Sequence, residues 1–296
     1  MNSNDLRMLI NEQSKAISFE EYRIRYATER FLLRLQESKY KENLILKGGF
    51  LLGTIFKVEQ RTTKDLDTLI TEMNADRENV EKMLKEIIEI DLNDGVSFEF
   101  MDLQDTQKLR TYEGFKARFK MYFTGEVNHV RFDLDLGVGD TITPDAEIVD
   151  IPILFNESKD EEVRILLPAY NLETILAEKT ETILVLGTRN TRMKDFYDVH
   201  LILNDSQKID INLFYDAFEN TWNFRQSELN IDEERFEDWY YTIDSIMEHK
   251  EMNTTIWDNY IKTRSYASNI KLNTIILQFK EYIKKLEQVY IEKNSY

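Results

Sequence analysis

Asp65 and Asp67 stand two residues apart in the segment Arg61-Thr62-Thr63-Lys64-Asp65-Leu66-Asp67. Side chains alternate between the two faces of an extended strand, so both carboxylates leave one face, with Cα atoms roughly 6.5–7 Å apart. Joined by a further acid, such a pair can hold one divalent cation, or two about 3.5–4 Å apart. Upstream, Asn43-Leu44-Ile45-Leu46 reads as a short buried strand, Gly48-Gly49 as a tight turn and Phe50-Leu51-Leu52 as the opening of a helix. A bare helix N-terminus at that place offers its N–H groups to an anion such as a triphosphate. Alone, a Gly-Gly turn is only a turn and Asp-x-Asp is a solvated strand edge. Their order and closeness point to phosphate and metal chemistry.

A third acid comes from His129-Val130-Arg131-Phe132-Asp133-Leu134-Asp135-Leu136-Gly137, where apolar residues alternate with Arg131, Asp133 and Asp135. The segment reads as a strand with a carboxylate face. Two successive aspartates on that face repel one another unless a cation or Arg131 compensates them. The alternatives are a metal ligand and a polar strand face in water.

On a helix expected over about Leu172 to Leu186, Lys179 shares one stripe with Leu172, Leu176 and Ile183. Burying a cation without an anion costs several kcal/mol, so this lysine either snorkels its head to water or directs an ammonium at phosphate oxygens. Arg192, Asp195 and Asp198 follow on a second helix, where spacing alone gives an Arg192–Asp195 ion pair. His129, His200 and His249 show no metal-ligand spacing and read as structural.

These side chains require a scaffold. Glu20 to about Gln36 has helical periodicity in Tyr22, Tyr26, Phe31, Leu32 and Leu35. Strands are expected at 44–47, 65–70, 96–101, 114–123 and 129–136, with a helix over roughly 76–90, which together make a mixed α/β sheet. After Pro152 and Pro168 the periodicity becomes helical, and Trp222, Trp239, Tyr240, Tyr241 and Trp257 supply aromatic bulk for a helical lobe. The fold class is therefore α+β and bilobed, with residues 1–165 forming a sheet lobe with N-terminal helices and residues 166–296 a helical lobe. Asn156 to Glu162 is the expected connection.

The 296 residues, 42% of them hydrophobic and 12% aromatic, suffice for two packed cores. Absence of cysteine excludes disulfides, thiolate metal sites and cysteine nucleophiles. No basic and apolar leader and no apolar run of membrane length occurs, so a soluble cytoplasmic protein with no membrane partner is expected. A net charge of −17 argues against broad adhesion to nucleic acid or anionic membrane. One local exception runs from Lys108 to Arg131, where Lys108, Arg110, Lys116, Arg118, Lys120 and Arg131 meet only Glu113 and Glu126. Lys116, Arg118 and Lys120 share a strand face, which is either a solubilising surface or a contact for RNA or triphosphate.

Lys47-Gly48-Gly49, the Asp65-x-Asp67 segment, Asp133, Ala177-Glu178-Lys179 and Arg192-Met193-Lys194-Asp195-Phe196-Tyr197-Asp198, in that order, resemble the AbiEii/AbiGii toxins. That family is a branch of the DNA polymerase β-like nucleotidyltransferases, found in type IV toxin–antitoxin and abortive-infection (phage-defence) systems, and the likeness runs from about Tyr26 to about Tyr266. The resemblance implies a nucleotidyltransferase with Mg²⁺ or Mn²⁺ held by Asp65, Asp67 and Asp133. It also implies an NTP cradled by Lys47, Gly48, Gly49, Thr63 and Arg192, and a catalytic set completed by Lys179 with Asp195 and Asp198. It makes the 3′ end of tRNA the expected acceptor, with blocked translation as the consequence, and a helix-turn-helix antitoxin the genetic partner, one that need not bind the toxin. A protein or small-molecule acceptor, or a module that only binds nucleotide, are the other readings.

Overall fold

The computed structural model describes residues 2–12, 17–58, 65–106, 114–155, 163–205, 208–226 and 229–295. Residues 156–162, where the sequence places the connection, fall outside that set. The chain divides into two compact units, one of residues 1–139 and 147–169, the other of residues 140–146 and 170–296.

The first unit contains α1 (Ser3–Glu12), α2 (Phe19–Glu37), β1 (Leu44–Lys47), α3 (Gly48–Ile55), β2 (Asp65–Ile70), α4 (Arg77–Ile88), β3 (Val96–Asp105), β4 (Gly114–Phe123), β5 (His129–Val138), β6 (Glu147–Pro152) and β7 (Arg164–Ala169). Its seven strands form one mixed sheet in the order β3-β4-β5-β2-β1-β7-β6. A capping box starts α2: the Glu21 N–H donates to Ser18 Oγ at 3.2 Å and the Ser18 N–H donates to Glu21 Oε2 at 2.8 Å. Buried Tyr26, Phe31 and Leu35 carry this helix onto the sheet, where the Phe31 ring lies 5.5 Å from Phe119 and 5.7 Å from Phe132. Arg34, also buried, donates to both oxygens of Asp94 at 2.8 Å and to the Val96 carbonyl, so its charge is paired and hydrogen-bonded. Asp76 caps α4, whose Val80, Met83, Leu84 and Ile87 are buried at helical spacing.

Strands β1, β2 and β4 have the extents expected from sequence. β3 runs on to Asp105 through an irregularity between Phe100 and Asp102 that re-aims its side chains. The sequence reading omits β6 and β7. β6 is exposed at most positions and lacks the alternation that marks a strand, and Pro168 argues against β7. That proline is tolerated because β7 meets β1 only at Leu46↔Ala169.

The second unit is helical: α5 (Leu172–Leu186), α6 (Met193–Asn204), α7 (Ile211–Arg225), α8 (Glu233–Glu248), α9 (Trp257–Lys262) and α10 (Leu272–Asn294). The Asn171 side chain caps α5 by accepting from the Thr174 N–H at 2.7 Å, and its amide reaches the Pro144 carbonyl, which ties residues 140–146 to this unit. Trp239 packs edge-on against Trp222, Phe218 and Phe236 at 4.9, 5.3 and 4.8 Å between ring centres. Tyr241, expected in this aromatic core, instead points outward, 77% exposed.

Candidate active site

β2 and β5 run parallel, with Asp65 opposite Asp133 and Asp67 opposite Asp135. Residues paired across a ladder share a face, so four carboxylates stand on one face as two rungs. Leu66 and Leu134, between the rungs, are buried on the other face. Apolar alternation therefore fixes the acids' direction: a slip of one residue would bury all four.

Four neighbouring anions need a counter-charge, and β4 supplies one. β4 pairs antiparallel with β5, placing Lys116 opposite Asp135. Lys116 Nζ lies 3.3 Å from Asp65 Oδ1, 3.5 Å from Asp133 Oδ2 and 3.2 Å from Asp135 Oδ1. Burial disfavours the Lys116 charge, yet Asp135 and Asp65 outweigh it and raise the ammonium above the usual lysine range. Asp135 moves the other way from an ordinary aspartate: burial raises its pKa, Lys116 opposes the rise and Asp67 adds to it. Asp135 Oδ1 is buried and meets Lys116 without hydrogen-bond geometry.

Gly48 borders this cluster. Its φ is +73°, and a Cβ there would lie 2.6 Å from Asp67 Cγ, so only glycine allows both the turn and the close approach of the carboxylate. α3 begins at Gly48 with Lys47 as N-cap and no side-chain cap on its N–H groups. Lys47 pairs with Asp67 across β1 and β2, on the same face. Thr63, together with Arg61, Thr62 and Lys64, lies outside the described residues.

In the second unit, Lys179 Nζ lies 2.5 Å from Asp195 Oδ1 and 3.2 Å from Asp198 Oδ2, and Arg192 Nε lies 3.2 Å from Asp195 Oδ2. Both aspartates are buried and Lys179 is only 14% exposed. Its place on an apolar stripe thus has a local explanation, since α6 presents two carboxylates to it. Burial disfavours the Asp195 charge, but Lys179 and then Arg192 reverse that and hold its pKa below the aspartate range. The ion pair expected between Arg192 and Asp195 is present, although Arg192 is the N-cap of α6 and not part of the helix. Glu178 faces elsewhere: with Asp140 and Glu181 it holds Arg225, at 2.8, 3.1 and 3.4 Å respectively.

The basic face of β4 is not a free positive surface. Arg118 pairs with Asp102 and Lys120 with Glu99 on β3, while Lys116 is drawn among the aspartates. The antiparallel register sets Asp102 opposite Arg118 and Glu99 opposite Lys120, and such cross-strand pairs neutralise one another. Lys108 and Arg110, which complete that basic count, lie outside the described residues. Lys116 and Asp135 are the residues missing from the sequence-derived site; the unbalanced charge of Asp65, Asp133 and Asp135 was the signal that a cation had to be nearby.

Among the described residues no group of three or more acidic or histidine side chains is preformed around a metal position; the three carboxylate oxygens that do converge do so on the Lys116 ammonium. The donor chemistry nevertheless fits a hard cation, because all the donors are carboxylate oxygens and one of them, Asp135 Oδ1, is buried without a hydrogen bond.

Comparison with known structures places the fold. A crystal structure of a "putative nucleotidyltransferase" from H. pylori matches with a TM-score of 0.51 at 12% identity, over 94% of this chain and 98% of that one. JHP933 from Helicobacter pylori matches equally, with a TM-score of 0.51 at 12% identity over 94% and 97%. At that identity the likeness is one of fold, and the fold is of nucleotidyltransferase type. The family model of the nucleotidyl transferase AbiEii toxin, of type IV toxin–antitoxin systems, matches residues 30–261. This chain belongs to that family, so its class is nucleotidyltransferase toxin and an antitoxin is its counterpart. No curated protein matches it. No helix among the described residues is long and apolar enough to cross a membrane.

Proposed function

We propose that the protein transfers a nucleoside monophosphate from an NTP to the 3′ end of tRNA in the cytoplasm, in a Mg²⁺- or Mn²⁺-dependent reaction, and so blocks translation. The observation that carries this reading is the pair of aspartate rungs beside the uncapped start of α3. Asp65, Asp67 and Asp133 would hold the cations, which when bound stabilise the attacking and leaving oxygens. Gly48 and Gly49 present backbone N–H groups to the triphosphate, with Lys47, Thr63 and Arg192 as further contacts. The family resemblance further assigns to Lys179, which contacts Asp195 and Asp198, the neutralising of charge on the triphosphate. The acceptor hydroxyl forms a bond to the α-phosphorus as the bond to pyrophosphate breaks. The antitoxin of the pair is read as a helix-turn-helix protein that need not bind the toxin directly.

The acceptor surface is better sought away from β4. Lys262, Arg264 and Lys271 are exposed, and among the described residues no carboxylate is paired with them. Incubation of the protein with total tRNA, Mg²⁺ and each labelled NTP in turn should label tRNA with one nucleotide. Label on protein or on a small molecule instead would move the activity to another acceptor, and no transfer with any acceptor would leave a binding module.

A further inference from the structure

Three carboxylates from two strands converge on one ammonium, at the place where the proposed function needs cations. Lys116 reaches them because β4 pairs with β5 in a register that sets it opposite Asp135. It touches Asp65 on β2 as well as Asp133 and Asp135 on β5, so a single side chain bridges both rungs. Its neighbours on the same strand face, Arg118 and Lys120, turn to β3 carboxylates instead. Lys116 is the basic residue of that face committed to the acids. The ammonium and a divalent cation would use the same oxygens, Asp65 Oδ1 and Asp133 Oδ2 among them, and two cations cannot share those oxygens at contact distance without strong repulsion.

We propose that Lys116 is a built-in competitor for the divalent-metal position. It neutralises the aspartates in the metal-free protein and must withdraw from them when the first cation binds. The proposal rests on the reading of Asp65, Asp67 and Asp133 as metal ligands. Asp135 belongs to the same competition, because its buried Oδ1 has Lys116 as its nearby cation.

Two consequences separate this role from simple packing. Removing the ammonium while keeping the aliphatic stem, in Lys116→Met, leaves the acids uncompensated, so the metal-free variant should melt at a lower temperature than the wild type. Its Mn²⁺ affinity, read by electron paramagnetic resonance of free Mn²⁺, should at the same time rise by about tenfold or more, since each tenfold in affinity corresponds to only ~1.4 kcal/mol. Saturating Mg²⁺ should restore its melting temperature to the wild-type value. Lys116→Arg keeps the charge and should keep the wild-type affinity. In the wild-type protein itself, ¹³Cε-labelled lysine spectra should show the Lys116 signal shifting on titration with Mg²⁺, which tests withdrawal without any substitution.

Wild-type binding of Mn²⁺ with no tighter binding by Lys116→Met, or a Lys116 signal unmoved at saturating Mg²⁺, overturns the competition and leaves the metal reading standing. Failure of the wild type, Lys116→Met and Lys116→Arg alike to bind Mn²⁺ overturns both.

Discussion

Gly48 and Asp67 leave no room for a methyl group between them: a Cβ on Gly48 would lie 2.6 Å from Asp67 Cγ, and the backbone there has φ +73°. Gly48→Ala therefore has two costs, a left-handed conformation worth about 1–2 kcal/mol and displacement of the Asp67 carboxylate. The expected result is a loss of roughly 2 kcal/mol or more in urea denaturation, together with lost toxicity. A variant as stable and as toxic as the parent would show that Asp67 can move without consequence.

Asp67→Ala and Asp65→Asn should abolish growth inhibition on expression while keeping the fold. Asp65 is 45% exposed, and its loss leaves Lys116 with Asp133 and Asp135 as partners. Circular dichroism and melting temperature should stay close to wild type. Undiminished toxicity from the folded variants would remove these acids from the chemistry.

Lys179 sits between two buried carboxylates, so Lys179→Ala leaves Asp195 with Arg192 alone of its two cations and takes the lysine from Asp198. The change should cost about 3 kcal/mol, at the lower end for broken buried pairs because the lysine is slightly exposed. It should also lower transfer more than ~10²-fold. Combining it with Asp195→Asn and Asp198→Asn should recover stability without recovering activity. Recovery of both would mean that the lysine only balances charge.

The lowered pKa of Asp195 sets the sign of a pH dependence. An acid whose pKa is lower folded than unfolded adds stability that is complete above its unfolded value, near 3.8, and is lost as pH falls toward the folded value. The gap in unfolding free energy between wild type and Asp195→Asn should therefore be constant from neutral pH down to about 5 and narrow below about 4. A gap that does not change across that range would show Asp195 to be uncoupled from Lys179.

Charge reversal at Arg118 and Lys120 should leave tRNA binding and its salt dependence nearly unchanged, because Asp102 and Glu99 already engage those side chains. Reversal at Lys262, Arg264 and Lys271 should instead weaken binding and reduce the salt slope by about 0.7–0.9 for each phosphate no longer neutralised. A filter-binding titration across salt compares the two sets, and a larger effect from the β4 pair would restore that strand as the RNA surface.

Local pattern carried much of this molecule. A short apolar run placed β1, and strand patterning placed β2 and β4, at their observed limits, and an apolar stripe interrupted by Lys179 marked a real cluster. β6 and β7 escaped because one is exposed at most positions, with Ile151 its buried residue, and the other contains Pro168. Lys116 was legible only as one of three alternating cations. Which of them meets the aspartates depends on how β3, β4 and β5 align, and Glu99 and Asp102 decide it from a strand with no chemistry of its own.

Strand order has a consequence in time. β2 lies beside β5, yet the ribosome must build α4, β3 and β4 between them, and β1 gains its second neighbour only when β7 has been made. The emerging chain carries Asp65 and Asp67 long before Asp133 and Asp135 exist to stand beside them, and pairing so distant in sequence is slow to form. On the proposed reading, in which Asp133 completes the set begun by Asp65 and Asp67, a nascent chain cut short before β5 lacks that acid and is expected to be inert in the cell that is making it.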